Sequence, residues 1–254
     1  MARCCTPSGY RKIFGEKTAR RDVRKYRRRG LDKAARRIVD FLAVRGVDGD
    51  SVLEVGGGIG AIQLELLRAG AVRATNVELS PEYEPLAEEL LREAGLEERV
   101  ERRLGDFVRD ADELEPADDV VLHRVVCCYP DPEALVGAAA DHARRRLVLS
   151  FPPDTSLFRG GSAVLNAFLA LTRTEFRTFV HPHGAILGTA RARGLEPALE
   201  ARTPMWRIVG FERARREGAA AGALRGSSRP ALRRSAGTAT RPGDPSTGGS
   251  GAAC

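Results

Sequence analysis

The chain has 254 residues, 43% of them hydrophobic, which is enough for one sizeable α/β domain with appendages. It has no apolar run near the roughly 20 residues of a membrane span, and its N-terminus lacks the apolar segment of a secretory signal. Residues 1–40 carry 14 basic against 4 acidic residues, residues 213–254 carry 8 against 2, and residues 41–212 carry 19 against 28. The basic N-terminal arm can bind nucleic acid, cover a site and hold an acidic substrate, or be a solvated helix face.

The cysteines are odd in number, and none are spaced as in a CxxC motif. This pattern predicts reduced thiols in a cytoplasmic protein rather than a disulfide scaffold. Adjacent cysteines are poor chelators of a single tetrahedral ion, so we predict no metal site and expect these side chains to line a pocket or the core. The cysteines are Cys4, Cys5, Cys127, Cys128 and Cys254.

The arm is predicted to be helical over 16–45, with Gly30 dividing it into two helices. Strands and helices then alternate, which is typical of a parallel sheet covered by helices on both faces. Ser80 and Asp131 are expected to cap two of these helices, each with a proline at the first helical position. The predicted elements are strand 51–55, helix 61–69, strand 73–77, helix 81–94, strand 99–104, strand 119–123, helix 131–143 and strand 146–151.

The alternation ends after Phe151. Two strands at the end of the domain, joined at Thr203 and Pro204, are predicted to form an antiparallel hairpin. The hairpin completes a doubly wound, mostly parallel seven-stranded α/β sheet. The elements in this part are helix 157–172, an unassigned segment 174–183, helix 184–193, strand 195–202 and strand 205–212.

We divide the chain into three parts. Residues 1–45 form a basic helical arm, residues 46–213 a binding domain, and residues 214–254 a disordered tail of low complexity. An insertion at about 154–183 is expected to form a lid together with the arm.

The segment Ser51–Gly60 predicts a ligand site, because a strand is followed by a glycine turn and by the N-terminus of a helix. Glycines let the backbone come within contact distance of a ligand, where a Cβ would clash. The free N–H groups at the start of the helix favour an electron-rich or anionic group.

Three acidic positions strengthen this prediction. Glu78 ends the second strand, where a carboxylate accepts hydrogen bonds from the ribose of an adenosine cofactor. Asp106 lies at the tip of the third strand, where it can accept from an adenine amino group while Phe107 packs on the ring. Glu54 lies within the first strand and is expected beneath the glycine loop, where it can orient that loop.

Over residues 45–212 the sequence resembles the class I S-adenosylmethionine-dependent methyltransferases. Leu53–Gly60, Asn76–Glu78 and Gly105–Phe107 are similar to the first three motifs of that family, and Val120–Pro132 is similar to its fourth-strand segment. The resemblance implies S-adenosylmethionine as cofactor, with the glycines at its methionine part, Glu78 at the ribose, and Asp106 with Phe107 at the adenine. The predicted cofactor set is Glu54, Gly56, Gly57, Gly58, Gly60, Glu78, Leu79, Asp106 and Phe107.

Within this family the sequence resembles the magnesium-protoporphyrin O-methyltransferases. Gly9–Gly15 is similar to their N-terminal arm, and Ser150–Pro153 to the end of their fifth strand. Cys128 stands where those enzymes carry a histidine before Tyr-Pro, a residue that suits a metalloporphyrin carboxylate, so the resemblance leaves a porphyrin substrate open.

The resemblance also implies an in-line displacement at a sulfonium methyl group, in which the protein mainly aligns the reacting atoms. A carboxylate acceptor needs no base, whereas a phenol or an amine can need one. Arg124 could pair with a substrate carboxylate or be an ordinary surface arginine, and His123 could act at the site or be a packed imidazole. His181 and His183 fit a helix-initiating turn better than a catalytic pair. The candidates for contact with a small-molecule acceptor are His123, Arg124, Cys128 and Tyr129.

Two other functions remain open on the residues alone. Gly56, Gly58 and Ala61 also satisfy the GxGxxA pattern of an NAD(P)-dependent oxidoreductase, although such an enzyme has no need of the final hairpin. The basic arm would suit a nucleic-acid methyltransferase. Against that function, aromatic residues for base stacking are few, and Cys127–Pro130 differs from the Asn/Asp-Pro-Pro-aromatic turn common in base methylation.

Overall fold

The structure is a computed structural model that describes residues 11–214. The first ten residues, with Cys4 and Cys5, lie outside the described part of the chain, as does the predicted tail beyond Ala214. Among residues 11–214, no helix is both long enough and apolar enough to cross a membrane. The helices are α1 Glu16–Arg29, α2 Lys33–Val44, α3 Ala61–Arg68, α4 Glu84–Ala94, α5 Pro132–His142, α6 Ser156–Leu171 and α7 His183–Arg191.

The described strands form one seven-stranded sheet in the order β3-β2-β1-β4-β5-β7-β6. The first five strands are parallel, and β7 runs antiparallel to both β5 and β6. The order reverses direction beside β1, which places a crevice at the carboxyl ends of β1 and β4. The strands are β1 Ser51–Val55, β2 Arg73–Glu78, β3 Val100–Leu104, β4 Ala117–His123, β5 Ala143–Phe151, β6 Leu195–Arg202 and β7 Arg207–Arg213.

These observations confirm the predicted fold, including the division of the arm. Gly30 ends α1 with φ 64°, a conformation that favours glycine, and Asp32 caps α2 by accepting from the N–H groups of Ala34 and Ala35 at 2.9 and 3.1 Å. Asp131 caps α5 as predicted, because its carboxylate accepts from Ala134 N at 2.9 Å.

Three predictions about individual elements were wrong. The side chain of Ser80 does not cap the helix after β2, since a single 3₁₀ turn over Pro81–Tyr83 precedes α4. Strand β5 begins at Ala143, three residues earlier than predicted, and shortens the helix before it. Strand β7 begins only at Arg207, because Trp206 N donates to Thr203 Oγ1 at 3.0 Å within a tight turn.

A buried ion-pair network joins the strands at the end of the sheet opposite the crevice. Arg146 of β5 is 3% exposed, and its guanidinium donates to Asp119 of β4 at 2.5 and 3.0 Å. It also pairs with Asp50, just before β1, and donates to the carbonyl of Gly46 at 3.1 Å. A buried charge is tolerated only when it is paired and hydrogen-bonded in this way.

We expect Arg146→Met to lower the free energy of unfolding by about 3–5 kcal/mol, because it leaves the buried carboxylate of Asp119 without its cation, while Asp50 keeps its ion pair with Arg145. Urea unfolding of the full chain measures this change. Arg144→Met is the matched control, since Arg144 is exposed on the same strand and should cost well under 1 kcal/mol. Equal losses in the two variants would contradict the prediction.

Candidate functional site

The loop between β1 and α3 is built from glycines in conformations that other residues rarely adopt. Gly56, Gly58 and Gly60 have φ values of 63°, 56° and 75°. Gly56 N donates to Val77 O at 2.7 Å, which fixes the start of the loop against β2. Gly60 is the N-cap of α3, so the loop delivers the chain directly into the N-terminus of a helix.

Three buried polar side chains form the floor beneath this loop. Glu54 Oε2 accepts from Gln63 N at 3.1 Å, and Asn76 Nδ2 donates to Gln63 Oε1 at 3.2 Å. A Cβ on Gly57 would come within 2.1 Å of Asn76 Nδ2 and 2.8 Å of Glu54 Cδ. The loop therefore lies on Glu54, as expected, and only glycine fits at position 57.

Burial raises the pKa of Glu54 to about 8, opposed by the hydrogen bond from Gln63 N and by the nearby Arg102 guanidinium. Glu54 therefore keeps its proton near neutral pH, in a site where a second carboxylate, that of Glu78, lies close enough to disfavour ionisation further.

The carboxylate of Glu78, the last residue of β2, connects this strand to the glycine loop by hydrogen bonds. It accepts from Gly58 N at 2.8 Å and from the N–H groups of Leu79 and Ser80, both at 2.9 Å. Burial nevertheless raises the pKa of Glu78 above its ordinary value. This residue holds the glycine loop and the turn after β2 together, while lining the cavity above them.

Asp106 and Phe107 follow β3 and are joined to the segment after β4. Asp106 Oδ1 accepts from Val108 N at 3.1 Å and from the Tyr129 hydroxyl at 3.2 Å. Phe107 is buried and makes an edge-to-face contact with His142. Tyr129, which was predicted on the acceptor side, therefore contacts the residue predicted to bind adenine.

Two residues that position the loop were missed by the sequence analysis. The side chain of Arg102 is almost completely buried, where it donates to the carbonyl of Gly58 at 3.0 Å and pairs with Glu84. The ring of Tyr83 packs against Gly58, and its hydroxyl donates to Asp22 of α1 at 3.3 Å. The position of Arg102 within a strand of mostly polar residues could have indicated its role from sequence. The role of Tyr83 could not be predicted, because it depends on where α1 packs.

A cavity of about 380 Å³ lies above the loop, between the sheet and the N-terminal arm. Helix α1 covers it with Thr18, Arg21, Asp22, Lys25 and Tyr26. Helix α1 of the arm thus lies over the site. This arrangement agrees with the interpretation that the basic arm covers a site, one of the three given above. Gly60, at the end of the loop, is not part of the lining. The predicted site residues that line this cavity are Glu54, Gly56, Gly57, Gly58, Glu78, Leu79, Asp106, Phe107, His123, Arg124, Cys128 and Tyr129.

His123 ends β4 at the wall of the cavity. Its Nδ1 lies 2.8 Å from Ser150 Oγ, which also accepts from Arg124 N at 2.9 Å. Its Nε2 is buried and has no hydrogen-bond partner within residues 11–214. Burial, reinforced by the charge of Arg124, lowers the pKa of His123 to about 3, so the imidazole is neutral at physiological pH.

Arg124 has a positive φ of 65°, which is uncommon for a residue with a side chain. Its guanidinium forms an ion pair with Asp32, the capping residue of α2, and stacks over Trp206 at 4.9 Å from the ring centroid. The side chain is therefore engaged with the arm, while its Nε is buried without a partner in the described residues.

The two cysteines after β4 have different surroundings. Cys127 is buried in the core, and Cys128 lines the cavity, with 3.7 Å between their sulfur atoms. This agrees with the expectation of small side chains in a pocket and the core. Within residues 11–214, no cluster of three or more His, Cys, Asp or Glu side chains could hold a metal ion.

The histidines of the insertion have structural partners. His181 Nε2 lies 2.9 Å from Tyr129 O, and burial lowers its pKa. His183 is the first residue of α7, and its Nδ1 lies 2.8 Å from Nη1 of Arg207. Neither lines the cavity, which agrees with the interpretation of this segment as a helix-initiating turn.

A family model described as a methyltransferase domain matches residues 24–186, which is more than half of the chain. The chain belongs to the methyltransferase-domain family. This confirms the resemblance to the class I methyltransferases, whose fold the sheet order also reproduces. A search of proteins with curated functions found no match to this sequence.

Solved structures of other methyltransferases have the same fold. Magnesium protoporphyrin IX methyltransferase from Synechocystis PCC 6803, with bound SAH, gives a TM-score of 0.63 at 22% identity, covering 82% of this chain and 98% of that one. An O-methyltransferase family protein from Burkholderia thailandensis gives a TM-score of 0.60 at 19% identity, covering 79% of this chain and 60% of that one. An O-methyltransferase family 2 protein from Planctomyces limnophilus, in complex with apigenin, gives a TM-score of 0.57 at 22% identity, covering 78% of this chain and 62% of that one.

We expect Gly57→Ala to weaken binding of S-adenosylhomocysteine by about tenfold or more, because the new Cβ displaces the loop from Asn76 and Glu54. Isothermal titration calorimetry measures the dissociation constant. Gly161→Ala is the control, since nothing lies within 4 Å of a Cβ at that position in α6. It should leave binding unchanged and stabilise the fold by about 0.5–1 kcal/mol. Undiminished binding by Gly57→Ala would contradict the prediction.

The raised pKa of Glu54 predicts a pH dependence of stability. The folded chain keeps this proton to about pH 8, whereas the unfolded chain releases it near 4.5. The free energy of unfolding should therefore fall as the pH rises between these values, by at most about 1.4 kcal/mol per pH unit. Urea unfolding between pH 5 and 8 should show a larger loss in the wild type than in Glu54→Gln, which keeps only the contributions of other groups with a raised pKa, such as Glu78. Parallel profiles would contradict the prediction.

Proposed function

We propose that this protein transfers a methyl group from S-adenosylmethionine to a small-molecule acceptor, at the oxygen of a carboxylate or hydroxyl group. The observation that carries the proposal is a single cavity in which the glycine loop, Glu78 and Asp106 face a cation-bearing wall after β4. The family membership supports the reaction class. The solved relatives with bound SAH or SAM support the cofactor.

The residues present fit this cofactor. Each carboxylate oxygen of Glu78 can accept more than one hydrogen bond, so its bonds to the loop leave capacity for ribose hydroxyls. Asp106 can accept from the adenine amino group beside Phe107. The glycines let the loop lie close against its neighbours, since a Cβ at Gly56, Gly57 or Gly58 would meet Val125, Asn76 or Tyr83, and the loop then leads into the N-terminus of α3.

The cofactor supplies a methyl group on a positively charged sulfur, and the protein's part is to hold the acceptor oxygen in line with it. His123 is a weak base, since its pKa is about 3. A general base works best when its pKa is near the working pH, so His123 suits an acceptor that needs no deprotonation. Among oxygen acceptors this favours a carboxylate.

Calorimetric titration of the full chain with S-adenosylhomocysteine and, separately, with NADH tests the cofactor. We expect micromolar binding of the first alone, weakened by about tenfold or more in Glu78→Ala, because this variant loses the ribose acceptor. Glu101→Ala is the matched control, since Glu101 is exposed on the neighbouring strand β3. Binding of NADH alone would overturn the proposal, as would equal affinities of the two variants.

A further inference from the structure

The wall of the cavity after β4 contains two buried nitrogen atoms without partners. They are Nε2 of His123 and Nε of Arg124, and both residues line the cavity. Buried polar groups in folded proteins are almost always hydrogen-bonded, so each exception requires an explanation. The Nε–H of an arginine can only donate, so the missing partner carries an acceptor atom.

Asp32 already occupies part of this wall. Its Oδ1 accepts from the N–H groups of Ala34 and Ala35, and its Oδ2 pairs with an Nη of Arg124. Burial works to raise the pKa of Asp32, but these hydrogen bonds and the charge of Arg124 outweigh it and hold the pKa below its ordinary value. Asp32 is thus an ionised carboxylate that fixes Arg124 without satisfying its Nε.

Helix α1 adds further cations to the same wall. Arg21 and Lys25, one turn apart, both line the cavity. Arg21 Nε lies 3.5 Å from Oδ1 of its neighbour Asp22, and Lys25 Nζ lies 4.0 Å from Asp32 Oδ2. The cations of the cavity lining, Arg21, Lys25 and Arg124, are therefore grouped beside Asp22 and Asp32, whereas Glu78 and Asp106 line the cavity at the glycine loop.

We propose that Lys25 and Arg124 bind a carboxylate of the acceptor and that Asp32 positions Arg124 for this contact. The inference rests on the proposed function and narrows its acceptor to an organic acid. Phe14, Leu31 and Val125 line the same cavity, so the body of this acid is apolar. Lys25 is then a specificity-determining residue, contributed by the arm rather than by the sheet.

The experiment compares benzoate with benzamide, which have the same size and differ in charge, on the full chain saturated with S-adenosylhomocysteine. Ligand-observed NMR titration gives both dissociation constants. We expect benzoate to bind about tenfold more tightly than benzamide, and Lys25→Met to remove this preference while leaving benzamide unchanged. Lys25→Arg should retain the preference, because it keeps the charge.

Arg24→Met is the matched control, since Arg24 is exposed beside Lys25 in α1 and lies outside the cavity lining. It removes the same charge and should preserve the preference. The proposal is overturned if benzoate does not bind, if the wild type does not distinguish the two probes, or if both Met variants lose the preference equally. Calorimetry on the same samples separates the two proposals: failure to bind S-adenosylhomocysteine would refute the function, whereas its binding without benzoate would refute only the acid subsite.

Discussion

The contact between the glycine loop and its polar floor is the constraint on which the site depends. Gly57 leaves no room for a side chain above Asn76 and Glu54, so the loop lies as close to β1 and β2 as backbone can. Glu78 and Arg102 then hold Gly58 by its N–H and its carbonyl. Residues of β2 and β3 thus fix the loop at Gly56 and at Gly58.

The two ends of the sheet have different tasks. At one end, Arg146 pairs with Asp119 and Asp50, and Arg145 also pairs with Asp50, so that β5 is linked to β4 and to the residue before β1. At the other end, the polar groups of His123 and Arg124 are incompletely paired and face a cavity. Strained or unsatisfied groups persist only where the surrounding structure holds them, as Asp32 and Ser150 hold Arg124 here.

The sequence predicted the features that local chemistry determines. The glycines, Glu54, Glu78 and Asp106 lie where their positions at strand ends implied, because a parallel sheet brings those ends to one edge. It did not predict Lys25 or Asp32, whose relation to the cavity depends on how the arm packs. From sequence, Arg124 is a candidate partner for a substrate carboxylate, and only the structure shows its pairing with Asp32, 92 positions away.

The ring of Trp206 lies against the guanidinium of Arg124, and the chain contains no other tryptophan. Indole emission is sensitive to a charge held over its face. Any ligand that shifts this arginine, or any movement of the arm that withdraws Asp32, should change the fluorescence of the unlabelled protein. The fold thus includes an intrinsic optical reporter at the wall of the cavity, separate from the adenine end.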